Sequence, residues 1–314
     1  MVIDGKELAR GVRESLKELL SVGGWAKRFL AVVRVGQDPA SESFIAQKEK
    51  VARELGVDFR MYRFPETIAQ DALRDEIGKI AAHKTCGGVI VQLPLPAHIK
   101  KEYVLNAIPR EKDVDVLGER ALGAFYTGRN LIPPPAVGTV LKILGTSPLI
   151  RGEAVGGEAS LVSTGVASRG SRAASTAGAE ERSVLLELEG KRIAIIGAGF
   201  LVGKPIATWL MGKVREIHLL DKGSDFGVLE NADVVISGAG APGIVKPEML
   251  KEGAVGIDFG YGTKDSHVMG DFDPACERVC SVFTPTPGGT GPILVAQLFQ
   301  NFYTLNQKND RVKI

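Results

Sequence analysis

Between Ser41 and Gly56 apolar residues recur at helical spacing, with one exception. Phe44, Lys48, Val51 and Leu55 stand at i, i+4, i+7 and i+11, which is a single helical face, and that face carries a lysine. Ser41 is placed to N-cap this helix and Gly56 to end it. The same periodicity predicts a helix capped by Asp4, with Leu8, Val12, Leu16 and Leu19 inward, and another over Ala69–Ala82. Short β-rich runs fall at Phe29–Val35, Val57–Phe64 and Gly87–Pro96. Strand and helix alternating in this way predict βαβ units and a parallel sheet. The unbroken apolar run Val89-Ile90-Val91 suits a strand covered on both faces.

The pattern pauses at Pro133–Gly138 and continues in a helix bearing Val140, Leu141 and Leu144. Arg151–Ser183 then consists largely of Gly, Ala, Ser and Thr with no aromatic residue. Such a stretch cannot bury enough apolar area to offset its ordering entropy, so it reads as a disordered loop. Alternation resumes over Gly190–Val214, with further strands at Glu216–Asp221, Asp233–Gly240 and Ala254–Gly260. The segment Phe283–Gln307 is a Gly/Pro loop feeding an apolar helix. The expectation is a two-domain α/β protein.

Composition narrows the function classes. Of 314 residues 44% are hydrophobic and 24% charged, and 39 basic against 37 acidic residues leave a net charge of +2. Neither a nucleic-acid partner nor a membrane surface is indicated by so even a balance. No apolar run approaches the roughly 20 residues of a membrane span. Met1-Val2-Ile3-Asp4-Gly5-Lys6 lacks the layout of a signal peptide. Cys86, Cys276 and Cys280 are too few and scattered for a disulfide framework, which points to the cytoplasm. Cys276 and Cys280 lack the second Cys/His pair of a metal site, so no metal is expected and both read as small buried side chains.

A candidate ligand site lies in the second half. A strand at Ile193–Ile196 runs into Gly197, Gly199 and Gly203, a GxGxxxG turn opening a helix. Glycines let backbone approach a pyrophosphate, and the helix N-terminus supplies N–H donors. A P-loop is excluded, because Pro205 follows Gly203-Lys204 where a hydroxyl side chain is required. Asp221, 24 positions after Gly197, ends the next strand. An acid there accepts hydrogen bonds from an adenosine ribose and repels a 2′-phosphate. Ala198 and Gly199 offer no side chain to hold that phosphate, so NAD is favoured over NADP.

Five ordered segments complete the pattern: VGQDPASESFIAQK (Val35–Lys48), VQLPLPAHI (Val91–Ile99), IPREKDVD (Ile108–Asp115), GFLVGKP (Gly199–Pro205) and TPTPGGTGP (Thr284–Pro292). Together they resemble the signature segments of the methylenetetrahydrofolate dehydrogenase/cyclohydrolase family, over nearly the whole chain outside about 151–183. The resemblance implies a folate-binding catalytic domain from residues 1–135 and 284–314 and a Rossmann-like domain from 136–283, with a cleft between them. It also implies tetrahydrofolate derivatives as substrates and a homodimer. Lys48 would then sit by the one-carbon unit, Gln92 would hydrogen-bond Lys48, and Asp115 would hold the pterin. Phe44, Leu93, Pro94, Pro287, Gly288 and Gly289 would line the folate. Val202, Gly238, Tyr261 and Thr284 would join Gly197, Ala198, Gly199, Gly203 and Asp221 at the cofactor.

The chemistry gives the lysine a reason. Hydride loss from the carbon bridging two folate nitrogens leaves a charge delocalised over N–C–N, so no strong base is needed. Hydrolysis adds water to that cation, beside which an ammonium is unfavourable. A partly buried, neutral lysine relays the proton instead, held by a glutamine that does not recharge it. On the residues alone, Lys48 snorkelling to solvent, Gln92 serving backbone, Asp113 and Asp115 forming a turn, and Asp221 as an exposed turn acid stay open.

Four positions depart from the family pattern. Phe44 stands where tyrosine is usual, Val116 replaces the glycine after KDVD, PPPAVG (Pro133–Gly138) replaces PCTPxG, and Ala198-Gly199 replace Arg-Ser. Loss of the hydroxyl at Phe44 leaves open a dehydrogenase without the hydrolase step. Two rival readings are a folate- or nucleotide-binding protein without turnover and an unrelated amino- or hydroxy-acid dehydrogenase. The latter usually wants a His or Lys base beside the nicotinamide, and the C-terminal half offers no such candidate.

Overall fold

Phe29–Val35 forms β1, buried at every position except Arg34, because in the computed structural model β1 is the middle strand of a parallel sheet. The structure describes residues 1–22, 28–147, 181–264 and 267–311. These divide into two compact units, Lys6–Gly138 with Pro292–Ile314 and Met1–Gly5 with Thr139–Gly291.

In the first unit the order of strands is β2-β1-β3, with β2 at Asp58–Phe64 and β3 at Cys86–Val91. Register runs Phe29↔Asp58 to Val35↔Phe64. Central β1 needs apolar side chains on both faces, whereas edge strand β2 alternates between exposed and half-buried positions. The helices are α1 (Gly5–Val22), α2 (Pro39–Leu55), α3 (Gln70–Ala82), α4 (Lys101–Leu105) and α5 (Glu119–Tyr126). The core gathers Leu30, Val32, Ile45, Val51, Ala52, Leu55, Ile90, Phe299 and Phe302.

The second unit carries a five-stranded parallel sheet of order β10-β7-β6-β4-β5. Its strands are β4 (Arg192–Ile196), β5 (Glu216–Leu220), β6 (Val234–Ser237), β7 (Val255–Asp258) and β10 (Val282–Phe283). From β4 the chain goes to one side for β5 and to the other for β6, so the reversal point lies at the carboxyl ends of β4 and β6. A two-stranded antiparallel pair, β8 (Gly262–Lys264) and β9 (His267–Met269), interrupts the alternation; the sequence pattern did not predict it. Helices α6 (Pro135–Leu144), α7 (181–188), α8 (Gly203–Leu210) and α9 (Thr290–Arg311) complete the fold.

The expected loop at about 151–183 lies outside the described residues, except for its last three positions, which belong to α7. Among the described residues no helix is long and apolar enough to cross a membrane. All three cysteines are buried thiols. Burial pushes Cys86 up, Cys276 to about 12 and Cys280 to about 11.

Candidate active site

The lysine-bearing helix starts three residues earlier than the sequence pattern predicts. Asp38, not Ser41, is the N-cap: its carboxylate accepts from Ser41 N at 2.7 Å. Pro39 takes the first helical position, where a missing N–H costs nothing, so the pair Asp38-Pro39 outcompetes serine. Ser41 is instead buried, its hydroxyl donating to Leu93 O at 3.4 Å. Gly56 ends the helix in the left-handed conformation, φ +68°, with its N–H on Ala52 O and Arg53 O.

On α2 thus anchored, Lys48 Nζ donates to Gln92 Oε1 at 2.9 Å. Gln92 stands just past β3; its backbone N–H reaches Val33 O on β1 at 2.9 Å, and its Nε2 donates to Leu93 O at 2.8 Å. Both amide ends of the glutamine are therefore assigned. Leu93–Pro94 is a cis peptide. Phe44, one turn before Lys48, is half-buried. Burial pushes the Lys48 ammonium below its ordinary range, and the Asp115 carboxylate opposes this. Burial pushes Asp115 up, with Lys48 opposing. Desolvation thus moves both groups toward neutrality.

Asp115 is held by a turn that sequence reasoning left as an open alternative. The preceding acid, Asp113, is 1% exposed. Its Oδ2 accepts from Leu117 N at 3.0 Å and Gly118 N at 2.7 Å, while its Oδ1 is buried with no hydrogen-bond partner. Burial drives this carboxyl to about 7. Between the acids and those donors, Val116 adopts φ +57° with its side chain in the core. A β-branched residue is costly in that left-handed region.

The glycine turn is in the other unit. Gly197 has φ +91°, and a Cβ there would come 2.9 Å from Ala239 N. A Cβ on Gly203 would sit 1.9 Å from Gly197 O, and one on Gly238 would meet Val202 Cγ1 at 2.9 Å. These close approaches pack Gly197, Val202, Gly203 and Gly238 into one cradle at the head of α8. Gly199 has open space beside it, so the turn is open to a ligand next to Ala198. Asp221 follows β5 and is exposed, its Oδ1 accepting from Lys222 N at 2.8 Å. Backbone freed of side chains beside a helix N-terminus fits a dinucleotide pyrophosphate. Tyr261 is exposed. Thr284 is fully buried, its hydroxyl accepting from Asp258 N at 2.7 Å. Pro287, Gly288 and Gly289 belong to this unit also, with Gly288 O accepting from Gly5 N at 3.0 Å.

Residues 3–115 match the profile of the tetrahydrofolate dehydrogenase/cyclohydrolase catalytic domain, and residues 180–310 that of the NAD(P)-binding domain of the same enzymes. The chain belongs to the tetrahydrofolate dehydrogenase/cyclohydrolase family. Similar relatives include the bifunctional protein FolD of Halothermothrix orenii, 32% identical over 314 residues covering 96% of this chain and 95% of the relative. That of an Exiguobacterium species is 31% identical over 96% of both chains. Among solved structures, the bifunctional dehydrogenase/cyclohydrolase of Campylobacter jejuni has a TM-score of 0.80 at 29% identity over 99% of both chains. The Trypanosoma brucei enzyme, complexed with NADP cofactor and an inhibitor, has a TM-score of 0.81 at 26% identity, covering 99% of this chain and 98% of that one.

Within this dehydrogenase/cyclohydrolase the candidate residues divide between the units. Phe44, Lys48, Gln92, Leu93, Pro94 and Asp115 lie in the first, and the glycine cradle, Asp221, Tyr261 and Thr284–Gly289 in the second. Sequence reasoning passed over Asp258 and Asp271, both buried in the NAD(P)-binding unit. The signal available for them was the glycines alongside, Gly260 and Gly270, in a segment otherwise read only as a strand end.

Proposed function

We propose that Lys48, Gln92 and Asp115 carry the chemistry of this dehydrogenase/cyclohydrolase and that its dinucleotide is NAD. The enzyme oxidises 5,10-methylenetetrahydrofolate to the methenyl form with a nicotinamide cofactor and hydrolyses the methenyl form to 10-formyltetrahydrofolate. When bound, the cofactor accepts the hydride. Asp115 holds the pterin, and the half-buried Phe44 ring stacks on the folate. Lys48, pushed toward its neutral form by burial, takes a proton as water adds to the methenyl carbon. Gln92, with its oxygen on Nζ at 2.9 Å and its amide on Leu93 O, fixes the amine without supplying a charge that would re-protonate it. The observation that carries this reading is that contact, a partly buried lysine whose amine is hydrogen-bonded to an amide.

Gly197, Gly199 and Gly203 receive the pyrophosphate, and Asp221 binds the adenosine ribose. The absence of a cationic or hydroxyl side chain at Ala198 and Gly199 supports NAD over NADP. Phe44 supports a second reading, in which oxidation outpaces a weakened hydrolysis. We read the protein further as a cytoplasmic homodimer, which sedimentation analysis of the purified protein tests.

The decisive experiment follows methenyl absorbance in wild type and Lys48→Met with each dinucleotide. Hydrolysis should fall by about a hundredfold or more in the variant, the usual size of a lost acid–base group, while NAD still binds. Hydrolysis surviving at its original rate would refute the neutral-lysine mechanism. Accumulation of methenyl product by wild type, with decay no faster than in buffer, would leave the dehydrogenase alone.

A further inference from the structure

Two buried carboxylates in the NAD(P)-binding unit have no part in the chemistry above. Asp271 is 0% and Asp258 1% exposed. Asp271 Oδ2 accepts from Ser237 Oγ at 2.7 Å, Ala239 N at 2.7 Å and Gly240 N at 3.3 Å, and its Oδ1 from Ala241 N at 2.6 Å. One side chain thereby gathers three consecutive N–H groups of the loop that leaves β6. Asp258, at the end of β7, binds the backbone around its neighbour: Oδ1 accepts from Gly260 N at 2.7 Å and Asp271 N at 3.1 Å, and Oδ2 from Phe272 N at 3.2 Å. Its own backbone is gripped from the far side, N–H on Thr284 Oγ1 and C=O accepting from Thr290 Oγ1, both at 2.7 Å.

Room for the two carboxylates exists because the adjoining positions lack side chains. A Cβ on Gly260 would lie 2.3 Å from Asp271 Cγ, and one on Gly270 would lie 1.9 Å from Asp258 Oδ2. On its other side the same loop abuts the glycine turn, where Gly197 leaves no space for a Cβ against Ala239. The loop is therefore clamped between the glycine turn and Asp271, at the sheet's reversal point, where open parallel sheets bind their ligands.

We propose that Asp271 is a positioning residue for the dinucleotide: it fixes loop 238–241 against the glycine turn, and Asp258 ties that loop to the 284–290 segment. This rests on the reading that the unit binds a nicotinamide cofactor. It also assigns the loop's ligand chemistry. With the N–H groups of Ala239, Gly240 and Ala241 turned onto Asp271, the loop has no donors left for phosphate. It meets ribose and base portions of the ligand, through backbone carbonyls and Cα atoms, and leaves the pyrophosphate to the glycine turn and the head of α8.

The test compares wild type, Ser237→Ala and Asp271→Asn by calorimetric NAD binding, by the KM for NAD, and by methenyl hydrolysis in the same preparations. Ser237→Ala removes a single donor and should weaken NAD binding about three- to tenfold. Asp271→Asn turns an amide toward the N–H donors and should weaken it more than tenfold. In both, the KM for NAD should rise relative to hydrolysis. If Asp271→Asn fails to fold, Ser237→Ala decides. NAD affinity unchanged within twofold in the folded variants, or oxidation and hydrolysis falling in parallel, would overturn the assignment. Wild type binding neither NAD nor NADP would instead overturn the cofactor reading on which it rests.

Discussion

Asp113 makes the stability of the protein depend on pH. Burial carries its carboxyl from 3.8 to about 7, and carries Asp258 from 3.8 to about 6. A group whose pKa is raised by folding contributes stability that is complete below its unfolded value and lost as pH rises through its folded value. The urea midpoint should therefore decline between about pH 4 and pH 7, from the unfolded carboxyl value to the folded one. Asp113→Asn, whose amide oxygen can still accept from Leu117 N and Gly118 N, should flatten that decline; an unchanged slope would clear Asp113 of responsibility. Val116 is testable by an inversion of order. Gly ordinarily costs about 0.5–1 kcal/mol relative to Ala in regular structure. At φ +57° the strain of a Cβ is roughly 1–2 kcal/mol, so Val116→Gly should be the more stable variant relative to Val116→Ala. Phe44→Tyr restores a hydroxyl one turn from Lys48. One added hydrogen bond of about 1 kcal/mol should raise hydrolysis relative to oxidation by roughly threefold to tenfold in a paired assay.

Helix α2 marks both the reach and the limit of sequence reasoning at the scale of elements. Its apolar face and its glycine stop were legible, because they follow from a 3.6-residue period and from the left-handed conformation that glycine tolerates. Its start was misplaced, because Asp, Pro and Ser are all good starters and only tertiary placement buries Ser41 against Leu93. Asp38→Ala should lower stability by about 1 kcal/mol, measured by denaturant unfolding. Strands β1, β3 and β4 were legible as apolar runs. The β8–β9 pair was not, because three-residue strands carry too little pattern to register. In the lysine pocket, the partnership of Lys48 with Gln92 came from family resemblance; no spacing rule joins residues 44 apart. Asp258 and Asp271 stayed hidden for a related reason. Apart from Ser237 Oγ, the partners of the two carboxylates are backbone N–H groups, which every sequence supplies and none advertises.

At the scale of the molecule, each unit has its own core. That of the folate unit draws on both ends of its discontinuous chain, since Phe299 and Phe302 of α9 pack with Leu30 and Val32 of β1. Phe302→Ala should cost about 3–5 kcal/mol, the usual range for a buried aromatic. Hydrolysis should then fail on heating at a lower temperature than NAD binding does. Loss of both at the same temperature would show the units unfolding as one.

The buried thiols give each half of the protein its own clock. Cys86 lies in one unit, Cys276 and Cys280 in the other, and none presents a thiolate to solvent while its unit stays closed. Alkylation should therefore proceed only as fast as each half opens, and mapping the modified peptides over time would order those openings without any engineered probe.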